Sequence, residues 1–187
     1  RQMCIRDRRK DALLAATRIM QDVVAAAHRH PPHGRGTVGM VQVFPNSRNV
    51  IPGRIKFSID LRNSTDTLVD AMAAEVKAFA DQVAKEHGVQ VHIEMVSSYP
   101  AQLFQPECVQ AVGRAAAKLG YSHMPAVSGA GHDAVYMAKL APSGMIFIPC
   151  KDGISHNEIE DAKPEHIEAG CNVLLHAMLE RAGLGAI

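Results

Sequence analysis

The chain reads as an α/β protein built in two unlike parts, and three observations predict this. Apolar residues recur at helical spacing over residues 9–29 and again from Leu68 to Val83, while residues 54–62 and 89–96 alternate apolar with polar. The first half therefore runs α-β-β-α-β, which suits an antiparallel sheet with two helices on one face. One more strand upstream would make it a ferredoxin-like split βαβ unit. The second half mixes helices with one short, wholly apolar run over 144–149, the pattern of a strand covered on both faces. That half reads as a piece of an α/β domain, too small to close its own sheet.

The elements follow in order. Leu13, Leu14, Thr17, Met20, Val23, Val24 and Ala27 form the stripe of the first helix, and His28 to Gly34, with Pro31 and Pro32, stop it. Residues 36–44 read as a strand, and a loop with Pro45, Pro52 and Gly53 follows. In 54–62, Ile55, Phe57, Ile59 and Leu61 face one way and Lys56, Ser58, Asp60 and Arg62 the other, so Arg62 points away from the helix-covered side. Asn63 to Asp66 offer an N-cap for a helix carrying Leu68, Met72, Val76, Phe79 and Val83, and Gly88 ends it. Residues 89–96 read as a strand, and Ser97 to Pro100 as a boundary. Helices are expected over 106–119, around 133–140, and from Pro164 to Gly183. The last of these buries Ile167, Cys171, Leu174, Leu175, Met178 and Leu179. Arg1 to Arg8 fit no element and are expected to be a disordered leader.

Composition narrows the function. Of 187 residues, 47 % are apolar and the formal charge is +1, with no Trp, three Tyr and five Phe. A core is affordable, whereas a nucleic-acid surface would need clustered basic residues and stacking aromatics. Cys4, Cys108, Cys150 and Cys171 form no CxxC pair and read as free thiols in a reducing, cytoplasmic setting. No apolar run is long enough to span a membrane.

Three polar clusters carry the chemistry. Gly153 to Glu158 places His156 on a loop after the apolar run. This is the setting of a metal ligand held by an imidazole nitrogen, or of a loop histidine with ordinary hydrogen bonds. Ser128-Gly129-Ala130-Gly131-His132-Asp133 would let backbone approach a ligand, with His132 and Asp133 supporting a metal or a leaving group. The other readings are a Ser-His-Asp hydrolase, which the close spacing of Ser128, His132 and Asp133 opposes, and a plain glycine turn before a helix. This cluster has neither a GxSxG elbow nor the dinucleotide-binding glycine spacing. The third cluster pairs Asn49 in the Pro45–Gly53 loop with Arg62. That arginine is a candidate two-pronged carboxylate clamp or a surface side chain paired with Asp60.

Taken in order, the segments Arg9–Leu13, Pro45–Gly53, Phe57–Arg62, Ser128–Ala134, Gly153–Glu158, Ala169-Gly170 and Val173–Ala177 resemble a family of metal-dependent amidohydrolases. It includes N-carbamoyl-L-amino-acid hydrolase, allantoate amidohydrolase and β-ureidopropionase, within the wider aminoacylase and zinc-carboxypeptidase-like superfamily. The resemblance implies an α/β catalytic domain with two divalent metal ions (Zn, Mn, Co or Ni) and an inserted lid that mediates homodimerisation. Residues 9–98 correspond to the lid and 99–187 to the C-terminal part of the catalytic domain. By the same resemblance His156 ligates one metal, Asn49 and Arg62 hold the substrate, and Gly129, Ala130 and Gly131 line its pocket. His132 and Asp133 stand behind the metal. The family's remaining ligands, its glutamate base and a lid histidine lie upstream of the segment matching Asp11. No catalytic residue is therefore expected here, and this piece is expected to be inactive alone. The implied reaction is hydrolysis of the amide C–N bond of N-carbamoyl-L-amino acids or related ureido compounds, small carboxylates. The alternatives are a non-catalytic dimerisation or amino-acid-binding module, and a metallo-aminoacylase or dipeptidase.

Overall fold

A computed structural model describes residues 9–184, so the expected leader at 1–8 lies outside the described residues. The chain passes from one compact unit to a second between Ala101 and Gln102.

The first unit is a helix pair laid on a hairpin. Helix α1 spans Ala12–Arg29 and begins three residues later than the sequence predicts, because Asp11 caps it: its carboxylate accepts from the amides of Leu13 and Leu14. Burial pushes the Asp11 carboxyl up, but those amides and the Arg9 guanidinium outweigh it and hold it below the usual range. Helix α2 spans Asp66–His87, capped by Thr65 and ended by Gly88 at φ 61°. The two helices pack through Ala15, Ile19, Val23 and Ala26 of α1 against Val76, Ala80 and Val83 of α2, and Met72 of α2 is fully buried. The buried face of α1 is thus rotated from the expected stripe. Leu14 and Val24 are exposed and alanines take their place, because small side chains let the helix axes approach.

Each expected strand of the hairpin is broken once. Strands β1 (Arg35–Thr37) and β2 (Val41–Phe44) replace 36–44, and β3 (Arg54–Phe57) and β4 (Asp60–Arg62) replace 54–62. β1 pairs antiparallel with β4 and β2 with β3. Between Thr37↔Asp60 and Val41↔Phe57, three residues on one side face two on the other, which is a β-bulge. Ser58 closes it: its amide donates to the Met40 carbonyl at 3.0 Å and its hydroxyl accepts from the Met40 amide at 3.1 Å. Gly34 and Gly36 bring this hairpin against α1. A Cβ on Gly34 would stand 2.4 Å from the Ala27 carbonyl oxygen, and one on Gly36 would stand 2.3 Å from that of Val23.

The alternating segment 89–96 is not a paired strand among the described residues. Val89 and Val91 lie against the cluster of Ala15, Ile19, Ala80 and Val83 beside Phe57, but Ile93, Met95 and Val96 are exposed. Alternation sets which way side chains point; a strand also needs a neighbouring strand, and among the described residues none pairs with this segment, whose Val89 amide donates to the Ala84 carbonyl of α2 at 3.0 Å.

The second unit centres on α3 (Pro106–Lys118) and α5 (Pro164–Arg181). Ala111, Ala115 and Ala116 pack against Val173 and Ala177, and Val112, Leu119, Tyr121 and Ile146 close round them. Ion pairs Arg114–Glu180 and Arg181–Glu107 bracket the contact. A single turn, α4 (Ala134–Met137), stands for the expected helix at 133–140. The expected stripe of α5 is corrected: Ile167, Cys171, Leu174, Leu175 and Met178 are exposed, and the helix meets α3 through Val173 and Ala177. This helix is apolar on two sides, and among the described residues of the unit only one of them packs against α3. The apolar run 144–149 is not a paired strand among the described residues, although Ile146 joins the α3–α5 cluster and a Cβ on Gly170 would meet Ile148. The α/β class expected from sequence holds: helices with small antiparallel sheets.

The glycine contacts make a testable difference. Gly36→Ala should destabilise the first unit by about 1–3 kcal/mol, because the new methyl meets a helix carbonyl that cannot yield. Gly53→Ala, where a Cβ meets no atom within 4 Å, should stay within about 0.5 kcal/mol. Urea unfolding of the two variants checks this.

Candidate functional site

The candidate residues fall in both units. In the first, the loop Pro45–Gly53 joins β2 to β3. The Gly53 amide donates to the Phe44 carbonyl at 3.1 Å and closes its base, and the Arg54 guanidinium lies 4.2 Å over the Phe44 ring. The Ala12 amide donates to the Pro52 carbonyl at 3.2 Å, tying that base to the first turn of α1. Asn49 is exposed in the loop, and its Oδ1 accepts from the Ser47 hydroxyl at 3.2 Å.

Arg62 sits elsewhere on the hairpin. Its neighbour Leu61 packs with Val23 and Ala26, about a dozen residues further along α1 than Ala12, or roughly 17 Å at the helical rise. The ladder thus brings the base of the Asn49 loop and Arg62 to different ends of α1. Arg62 is on the outer face, as alternation predicts, and it is paired. Its Nε donates to Asp60 Oδ1 at 2.8 Å and its Nη2 to Asp60 Oδ2 at 2.7 Å, a two-pronged contact with both side chains about half exposed. Those hydrogen bonds hold the Asp60 carboxyl below the usual range and push Arg62 up. An exposed pair of this kind contributes only about 0.2–1 kcal/mol to stability.

In the second unit, Ser128 and His132 close the glycine segment. Ser128 Oγ lies 2.7 Å from His132 Nε2, and the Ala130 amide donates to the same Oγ at 3.2 Å. The His132 ring meets Phe147 edge-on at 5.4 Å. Asp133, expected to act beside His132, is exposed at the start of α4. A Cβ on Gly129 or Gly131 would meet no described atom within 4 Å, so packing among the described residues does not require glycine there.

His156 stands exposed on a loop of tight turns. Asp152, Gly153 and His156 all have φ between 55° and 69°. Glu160 holds His156 in place: the His156 amide donates to Glu160 Oε2 at 2.9 Å. Asn157 Oδ1 accepts from Ile159, and the Lys151 amide donates to the Asp161 carbonyl at 2.7 Å, joining the loop's two ends. A β-substituted residue in the left-handed region is uncommon and persists where its surroundings fix it. The sequence sets Ser128, His132 and Asp133 against a hydrolase triad rather than joining Ser128 to His132, and it does not single out Glu160; the i, i+4 spacing of each pair is the available signal.

Among the described residues, no group of three His, Cys, Asp or Glu side chains is placed to hold a metal ion. The described residues therefore do not fit a complete metal site around His156. The shallow groove lined by Met20, Gln21, Val24, Gly36, Thr37 and Val38 contains no candidate residue. No helix among the described residues is long and apolar enough to cross a membrane.

The sequence profile described as peptidase family M20/M25/M40 matches residues 10–180. The chain belongs to this family. Among M20 relatives, an N-carbamoyl-L-amino-acid amidohydrolase of Rhizobium meliloti is 46 % identical over 94 % of this chain and 42 % of its own length. An allantoate amidohydrolase of Bacillus subtilis is 29 % identical over 93 % of this chain and 42 % of its own. The crystal structure of a hydantoinase/carbamoylase-family amidase from Burkholderia multivorans superposes with a TM-score of 0.93 at 51 % identity, over 96 % of this chain and 44 % of that one. The chain thus spans a little over two-fifths of the length of these three proteins.

The His156 loop offers a direct check. Glu160→Ala should speed hydrogen exchange at the His156 amide about three- to tenfold, the scale of one ordinary hydrogen bond. Glu160→Gln, which keeps an acceptor, should restore most of the protection. Equal exchange in all three proteins would mean that Glu160 does not hold the loop.

Proposed function

We propose that the full-length protein hydrolyses the amide C–N bond of N-carbamoyl-L-amino acids, and that this segment supplies substrate recognition and one metal donor. The observation that carries the reading is the 46 % identity, across nearly the whole chain, to a relative named N-carbamoyl-L-amino-acid amidohydrolase. The lower identity to the allantoate amidohydrolase puts the carbamoyl amino acid first.

Arg62 is the carboxylate clamp in this reading. It is exposed, its guanidinium is planar and already seated against one carboxylate, and it sits where a strand offers little freedom. Asn49 offers an amide to the same small carboxylate substrate. Gly129, Ala130 and Gly131 give backbone a close approach to it, on a segment fixed by Ser128 and His132. His156 is one donor to a site of two divalent ions (Zn, Mn, Co or Ni), completed by residues outside this segment, with His132 and Asp133 behind it.

Residues 9–98 form the lid and 99–187 the C-terminal part of the catalytic domain. The lid also forms a homodimer. Supporting this, Val24, Met40 and Val41 are exposed on its outer surface, and β1 and β2 each have one unpaired edge among the described residues.

The test compares this chain with the full-length enzyme on N-carbamoyl-L-amino acids, each with added Mn²⁺, Co²⁺ or Zn²⁺. The full-length enzyme should turn over and this chain should not. In the full-length enzyme His156→Ala should lower metal content and rate together, since a ligand is lost. Turnover by this chain alone, or full metal occupancy in His156→Ala, would overturn the reading.

A further inference from the structure

We propose that Ser128 fixes His132 in the tautomer that carries its hydrogen on Nδ1, and that His132 donates this hydrogen to an oxygen of the bound substrate. Ser128 is then a positioning residue, acting through His132. The inference rests on the reading of Gly129 to Gly131 as the pocket wall, and it gives His132, next in the chain, a substrate contact of its own.

The count of hydrogens points to this tautomer. A serine hydroxyl has one hydrogen to give and two lone pairs to offer. Ser128 Oγ accepts from the Ala130 amide at 3.2 Å, which ties the side chain to its own segment. The hydroxyl hydrogen is then available to His132 Nε2, 2.7 Å away. In the reverse arrangement Nε2 donates, Oγ accepts twice, and the hydroxyl hydrogen needs a third partner. The length agrees with the first arrangement. Bonds donated by a hydroxyl centre near about 2.7–2.8 Å, and those donated by N–H near about 2.9–3.0 Å. An imidazole whose Nε2 accepts is neutral and carries its hydrogen on Nδ1.

The ring is held from other directions as well. Phe147 meets it edge-on, with centroids 5.4 Å apart and planes at 62°. The His132 carbonyl accepts from the Val135 amide at 3.0 Å, so the backbone beneath the ring belongs to the turn that opens α4. With Nε2 on Ser128, Nδ1 is the nitrogen that His132 presents to a ligand. It is a donor, so the ligand atom it suits is an oxygen, which a small carboxylate with a carbonyl group supplies. A donor oriented in advance loses less freedom when the ligand arrives, and this favours binding.

A rival account is that the pair only staples the glycine segment. Replacing the histidine by its Nδ1-methyl derivative separates the two. The methyl group removes the Nδ1 hydrogen and leaves Nε2 able to accept from Ser128. The staple survives and the donor is lost.

The test uses the full-length enzyme. Nitrogen NMR of ¹⁵N-histidine-labelled protein, at about pH 8 where an ordinary imidazole is neutral, reads the tautomer, with His132 assigned by its loss in His132→Phe. Wild type should show His132 protonated on Nδ1, and Ser128→Ala should lose that preference. On an N-carbamoyl-L-amino acid, His132→Phe and His132→Nδ1-methylhistidine should each lower kcat/KM about tenfold. Ser128→Ala should lower it about three- to tenfold, and Ser128→Thr, which keeps the hydroxyl, should stay within about twofold of wild type. In a His132→Phe background, Ser128→Ala should add little, because Ser128 acts through His132. The methylhistidine variant carries the test if Ser128→Ala does not fold.

Three outcomes overturn the inference. His132 protonated on Nε2 in wild type removes the tautomer. Wild-type kinetics with Nδ1-methylhistidine mean that the pair is only a staple. Losses that multiply in the double variant mean that the two residues act separately. The reading beneath is tested by turnover itself. A full-length enzyme that hydrolyses no N-carbamoyl-L-amino acid sinks that reading and the substrate contact with it. Turnover that Nδ1-methylhistidine leaves unchanged sinks only the role of His132.

Discussion

The backbone of the hairpin lies against the backbone of α1 at Gly34 and Gly36, closer than a methyl group could pass. Much in the first unit depends on that approach. It seats Leu61 on Val23 and Ala26, which turns Asp60 and Arg62 outward on either side of it. The bulge at residues 38–40, closed by Ser58, takes up the extra residue, so β3 stays in register with β2 and Phe57 reaches the α1–α2 cluster. The same hairpin carries the Pro45–Gly53 loop to the first turn of α1. Glycines far from any chemistry thus decide where the candidate recognition residues stand.

Both units rest on small cores. Alanines dominate the α3–α5 contact and share the α1–α2 contact with Ile19, Val23, Val76 and Val83, which favours close axes but removes little apolar area per residue from water. In the second unit, Ile167, Leu174, Leu175 and Met178 along α5, with Leu103 and Leu140, remain exposed. Scattered apolar side chains at a surface are ordinary, but a whole helix side is not. It fits the share of their own length over which the M20 relatives match this chain. The polar candidates are placed differently, on loops and on an outer strand face. Their positions are set by short-range hydrogen bonds: Asp60 on Arg62, Ser128 on His132 and Glu160 on His156.

Helices were legible in the sequence because their signals are local. Thr65 and Gly88 bound α2, and Pro164 opens α5 as its position implies. What periodicity could not give was the partner. Segments 89–96 and 144–149 have the side-chain pattern of strands and lack a neighbouring ladder among the described residues. The α5 stripe is apolar as read, but among the described residues Ile167, Leu174, Leu175 and Met178 stay exposed. The buried face of α1 was misplaced for a related reason: Leu14 and Val24 outrank alanine in hydrophobicity, but close helix packing selects the small residues. At the site, alternation put Arg62 on the outer face, and its pairing with Asp60 was one of two open readings. The left-handed backbone of His156 and its Glu160 hydrogen bond had no sequence signal beyond an i, i+4 spacing.

The central claim is that this chain carries recognition and a single metal donor, not a metal centre. Equilibrium titration of the purified chain with Mn²⁺ or Co²⁺, followed by calorimetry, tests it most directly. The account predicts no tight uptake: at most one weakly held ion, lost in His156→Ala. Two ions bound tightly and in stoichiometric amount by the chain alone would contradict it.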